Sequence, residues 1–129
     1  MRQAFLDCFS GISGDMFLGA LIDAGWPEEE LMCLPEKLGL ENTAVEVQGV
    51  KRKGIKGIQV KVSGPGPHPF RNLRDVEAIL EKSDLQPGII RLSLKVFNLL
   101  AQVEAKVHGC LLEEVHFHEI GAVDTLVDI

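Results

Sequence analysis

The chain has 129 residues, 46% of them apolar and 25% charged, with a formal net charge of −6 and an isoelectric point near 5.2. That length suits one domain with one hydrophobic core, and the composition excludes wholesale disorder and a membrane protein as first readings. The acidic balance argues against non-specific nucleic-acid binding, which needs clustered cations to displace phosphate counterions, and it suits a cation partner better.

Residues Ala4 to Phe9 run apolar in the manner of a short buried strand, and Gly11-Ile12-Ser13-Gly14-Asp15 reads as a turn that opens a helix. From Met16 to Ala24 the residues Phe17, Ala20, Leu21 and Ala24 recur at helical spacing, with Gly25 placed as a C-terminal cap. Pro27 starts a second helix that closes near Leu38 and Gly39. Its first turn carries Glu28, Glu29 and Glu30; three acids together resemble a metal site, but the helix dipole favours anions there without one.

Residues Ala44 to Val50 and Ile55 to Val62 alternate as two strands of a hairpin turning at Lys53-Gly54, with Gly57 a candidate bulge. Lys51, Arg52, Lys53, Lys56 and Lys61 fall here, five of the 13 basic residues. They could grip a phosphate, or form a charged edge that discourages sheet aggregation.

The stretch Gly64-Pro65-Gly66-Pro67-His68-Pro69 is a turn or loop that divides the chain. Asn72 caps a helix running through Glu81 with Leu73, Val76, Ile79 and Leu80 inward, and a longer helix runs from about Pro87 to His108. Along it Ile90, Leu94, Phe97, Ala101 and Ala105 make one stripe, while Ile89, Val96, Leu100, Val103 and Val107 make a second. A face that broad calls for burial. His108 could pair with Glu104 or complement the helix dipole. Gly109 ends the helix, Leu111 to Val115 connect, and after Gly121 the run AVDTLVDI begins an apolar helix without a cap, which suggests that the natural protein continues. The expectation is a single α+β domain over residues 1–129, with a small, mostly antiparallel sheet of about three strands packed with four to five helices.

Cys8, Cys33 and Cys110 are odd in number and lack C-x-x-C spacing, so free thiols are expected. No apolar run approaches the ~20 residues that span a bilayer, and the N-terminus lacks a signal-type core, so no membrane partner and a cytoplasmic location are expected.

Two segments could carry chemistry. In an extended backbone His116 and His118 would project to one side while Phe117 faces the core. Asp124 and Asp128, four apart on a helix, would share a face, so imidazoles and carboxylates could converge on a divalent cation such as nickel, zinc, iron or manganese. An isolated H-x-H and a solvated acidic face explain the same residues without a metal. The other segment is the turn Asp7 to Met16. Its amides could cradle an anion, Gly11 and Gly14 permit close approach, Ser13 is a plausible N-cap and Asp15 sits in the first helical turn. It is neither a P-loop nor a dinucleotide fingerprint, and generic turn chemistry also accounts for it. Asp15 would repel a bare phosphate but suit one that carries a divalent ion.

Together, DCFSGISGDMFLGALIDAG at the start and VHGCLLEEVHFHEIGAVDTLVDI at the end resemble the two signature blocks of the LarC family, and the similarity extends over the chain as the N-terminal part of a longer member. The resemblance implies a nickel-inserting cyclometallase of the lyase class. It places nickel into pyridinium-3,5-bisthiocarboxylic acid mononucleotide at the expense of CTP with a divalent cation, magnesium or manganese, and its product serves lactate racemase-type enzymes. Carried over by position, Asp7 and Asp15 would do catalytic work, Ser10, Gly11, Ser13 and Gly14 would bind the cofactor, and His116, His118, Glu119 and Asp124 would hold metal. Relatives often have several histidines before the arginine that matches Arg71. Here only His68 and then Phe70 remain, so a histidine-rich nickel reservoir in that loop is not expected. Activity of this stretch alone, the site of the nucleotide and a homo-oligomeric state all stay open. So do two rivals, a nickel chaperone or storage module and a non-catalytic scaffold.

Overall fold

A computed structural model describes residues 3–64, 71–117 and 123–129. In chain order the elements are α1 (Gly14–Asp23), α2 (Glu28–Met32), α3 (Leu34–Lys37), β1 (Ala44–Arg52), β2 (Ile55–Ser63), β3 (Arg71–Asn72), α4 (Leu73–Lys82), α5 (Pro87–His108), a 3₁₀ turn (Leu112–Glu114), β4 (His116–Phe117) and α6 (Val123–Asp128). The α+β expectation is met, with the strands forming two antiparallel two-stranded ribbons, β1–β2 and β3–β4.

The hairpin follows from its alternation and its turn. Its register runs unbroken from Ala44↔Ser63 to Arg52↔Ile55, and Gly57 pairs directly with Val50, so the bulge considered there does not form. Lys53 (φ 49°) and Gly54 (φ 86°) both adopt left-handed backbone, the requirement of a type I′ turn, whose twist matches that of the strands. Val45 and Val60 bury one face of the ribbon. Onto β2 packs α1, and Gly19 sets their separation: a Cβ there would lie 2.6 Å from the Ile58 carbonyl oxygen, so only glycine lets helix and strand approach this closely.

Three local expectations differ from the structure, two of them in the first half of the chain. Ala4 to Phe9 form no strand, and Phe5 and Phe9 are 92% and 91% exposed. An apolar alternation is only half of a strand, and no neighbouring strand among the described residues offers this one a hydrogen-bond ladder. The helix expected from Pro27 to Leu38 is broken at Cys33 into α2 and α3, because Pro35 lacks an N–H and its ring crowds the preceding turn.

The second half is built on α4 and α5, which pack together. Asn72 caps α4 through a reciprocal pair: its side chain accepts from the Asp75 N–H at 3.0 Å, and the Asp75 carboxylate accepts from the Asn72 N–H at 2.8 Å. Leu73, Val76 and Leu80 turn inward as the spacing requires. Phe97 and Ala101 are fully buried on α5, and Phe97 meets Phe117 with ring centroids 6.3 Å apart. The second stripe of α5 is the third correction. Ile89, Val103 and Val107 are exposed, the last at 72%, since the helix is covered on one side only. Gly109 (φ 64°) closes α5 in the left-handed conformation that glycine adopts without strain. His108 accompanies Glu104 at 3.1 Å.

Candidate functional site

The N-terminal turn is shaped by its glycines and serine. Gly11 (φ 86°) donates its N–H to the Cys8 carbonyl at 2.9 Å, and Phe17 donates to the Ser13 carbonyl at 3.1 Å to start α1. Ser13 occupies the N-cap position with extended backbone, but its hydroxyl is engaged by the Asp15 carboxylate, so no side chain caps the first-turn amides of α1. Asp7, Ser10 and Asp15 are exposed.

From the far end of the sequence, α6 is pinned by buried Val123, Leu126 and Val127, which leaves Asp124 and Asp128 on its other face. Asp124 accepts the Thr125 N–H at 2.8 Å and is exposed. Asp128 is pressed against Gly14: a Cβ on Gly14 would fall 2.3 Å from the Asp128 Cγ. Gly14, by lacking a Cβ, makes room for that carboxylate. Oδ1 of Asp128 is buried with no hydrogen-bond partner among the described residues. Burial, followed by the charges of Asp124 and Asp15, pushes its pKa from 3.8 up to about 6. Three carboxylates from opposite ends of the chain thus share one electrostatic neighbourhood.

The imidazole expectation is met in part. On β4, His116 is exposed opposite Asn72 while Phe117 is 2% exposed, the alternation that an extended backbone imposes. His118 and Glu119 lie outside the described residues, as does His68. Among the described residues no three or more His, Cys, Asp or Glu side chains converge where they could hold a metal ion. Of the acids of α2, Glu30 accepts from the Trp26 indole N–H at 3.2 Å. All three cysteines are free.

Beside the α1 turn lies a cleft of about 370 Å³, lined by Ser13, Asp15 and Met16 on one wall and by Val50, Arg52, Ile58, Gln59 and Val60 of the hairpin on the other. Sequence reasoning grouped Arg52 with its basic neighbours. The hairpin register, which sets Arg52 opposite Ile55 at the end of the ribbon, is the signal that separates it from them. Asp128 was noted only as a partner of Asp124. Its contact with Gly14 spans the whole chain and has no local signature. No helix among the described residues is long and apolar enough to cross a membrane.

Comparison with known proteins extends the picture. The family model described as nickel insertion protein matches residues 4–129. The chain is 46% identical over its full length to the pyridinium-3,5-bisthiocarboxylic acid mononucleotide nickel insertion protein of Desulfitobacterium hafniense, of which it covers 32%. It is also 46% identical to a putative nickel insertion protein of Thermomicrobium roseum, covering 32% of it, and 49% identical to one from a Synechococcus species, covering 33%. The chain thus spans about a third of the length of the curated relatives it matches. No solved structure matches it. With both signature blocks inside the matched residues, the chain belongs to the nickel insertion protein family.

Proposed function

We propose that this chain works in nickel insertion into pyridinium-3,5-bisthiocarboxylic acid mononucleotide, as the name of its Desulfitobacterium relative states for that protein. The observation that carries this reading is the meeting of α1 and α6: Gly14 against Asp128, with Asp15 and Asp124 close enough to act on its charge. Asp15, Asp124 and Asp128 do not close a metal site by themselves among the described residues, but carboxylates that act on one another's charge are stabilised by a divalent cation, here the nickel that is cargo for the reaction. In this reading Asp124 and His116, with His118 and Glu119, supply oxygen and nitrogen donors for nickel. The turn at Ser10, Gly11, Ser13 and Gly14 offers amides to the mononucleotide, and Asp7 and Asp15 act beside it.

The reaction in the complete protein would be a cyclometallation of the lyase class, dependent on CTP with magnesium or manganese. It would take place in the cytoplasm and deliver its product to lactate racemase-type enzymes. Holding metal and dithiocarboxylate together is the contribution of the site, since correct placement removes much of the entropic barrier to bond formation.

Nickel titration by calorimetry tests this on the chain itself, with His116→Ala/His118→Ala and Asp15→Asn/Asp124→Asn beside the unaltered protein. Each double variant should lose at least about tenfold in affinity, which corresponds to about 1.4 kcal/mol. Equal affinity in all three would remove the assignment. Tight nickel binding in the complete protein without any nucleotide-dependent product would favour the chaperone or storage role instead.

A further inference from the structure

Five basic residues of the hairpin could in principle receive an anion, and the structure sorts them. Lys53 sits at the tip of the turn. Lys51 and Lys56 pair directly across the ribbon and line a separate cavity together with Asp23. Lys61 lies opposite Glu46. Arg52 alone of the five lines the cleft that also contains Ser13 and Asp15, and it makes no ion pair among the described residues.

The two walls of that cleft make opposite demands. Arg52 favours an anion and Asp15 a cation, yet they form no ion pair with each other, and among the described residues neither meets an opposite charge. A bare phosphate would be repelled by Asp15 and a bare cation by Arg52. A phosphate that carries a divalent ion satisfies both, with its oxygens turned to the guanidinium and its metal to the carboxylate. Gln59 is a further polar residue of the lining, and about 370 Å³ is room for a phosphorylated sugar. The planar fork of an arginine matches two phosphate oxygens at once, which a lysine at the same position would not.

We propose that Arg52 anchors the phosphate of the pyridinium mononucleotide in this cleft, with Asp15 facing a divalent cation carried on that phosphate. The inference rests on the proposed substrate being such a mononucleotide. Arg52 is exposed at the end of the ribbon, so its replacement leaves the core intact.

The test is calorimetric titration of this chain with nicotinic acid mononucleotide in magnesium chloride, and separately with inorganic phosphate in the same buffer. Arg52→Gln should weaken mononucleotide binding about tenfold or more, Arg52→Lys should recover part of the loss, and Lys53→Ala should bind as the unaltered chain does. Nicotinic acid riboside, which lacks the phosphate, should bind weakly and equally to all four proteins. If mononucleotide binds and Arg52→Gln binds it equally well, or if Lys53→Ala loses as much, the anchor is overturned while the proposed function stands. If phosphate binds in an Arg52-dependent way but the mononucleotide binds no better, the anchor stands and the proposed substrate falls. Absence of binding by either ligand removes both.

Discussion

Replacing Asp128 by asparagine should abolish a specific part of the pH dependence of stability. The carboxyl is held near pKa 6 in the folded chain against 3.8 in the unfolded one, by burial first and then by the charges of Asp124 and Asp15. A raised pKa means that the folded state keeps a proton that the unfolded state has already released. The favourable contribution is therefore complete below about pH 3.8 and is lost as pH rises through about 6. A shift of about two units is worth roughly 3 kcal/mol at about 1.4 per unit, and solvent reaching the half-buried side chain reduces this to about 1–2 kcal/mol. Urea unfolding followed by circular dichroism between pH 3.5 and 7.5 measures it. The stability of Asp128→Asn relative to the unaltered chain should rise by about 1–2 kcal/mol across that window and then level off. The asparagine keeps a buried polar atom, so a constant offset is expected, and only the slope is diagnostic. A difference that stays flat with pH would refute the charge cluster at the meeting of α1 and α6.

Two further predictions concern the scaffold. Gly19→Ala should destabilise the chain by about 1–3 kcal/mol, because its Cβ would meet the Ile58 carbonyl oxygen at 2.6 Å, even though alanine is the better helix former by about 1 kcal/mol. Thermal unfolding reads it, and a gain in stability would contradict the close approach of α1 to β2. Lys53→Asn should stabilise the hairpin by about 0.5–1 kcal/mol, since φ of 49° strains a lysine and suits asparagine. A loss in the same urea assay would mean that the turn is not of the I′ type.

What could be read in the sequence was whatever the local pattern determines. The hairpin, the Asn72 cap of α4 and the limits of α5 follow from period, capping residues and glycine positions, and all three stand in the structure. The failures are equally physical. Ala4 to Phe9 has the pattern of a strand without a partner, and whether a strand finds one is a property of the whole fold. The second stripe of α5 is apolar, but periodicity says only which residues share a face, not how many neighbours cover it. At the site, the outward turn of His116 followed from alternation with Phe117, whereas the selection of Arg52 among five cations required knowing where the ribbon ends relative to α1.

The contact between Gly14 and Asp128 ties these observations to function. It joins the two sequence blocks that carry the family likeness, 114 positions apart in the chain, at a point where neither has a local reason to meet the other. A designer seeking stability alone would put an apolar side chain against that glycine and leave no oxygen without a partner. Instead a carboxylate is half-buried there, facing two more of its own charge, and the fold bears the resulting penalty at neutral pH. Such a penalty disappears when a cation arrives, so the same arrangement that weakens the free chain would strengthen the loaded one. Nickel should therefore raise the stability of the unaltered chain more at pH 7 than at pH 5, and that difference should shrink in Asp128→Asn, which lacks the carboxylate that ionises between these pH values, while the part owed to imidazole donors remains.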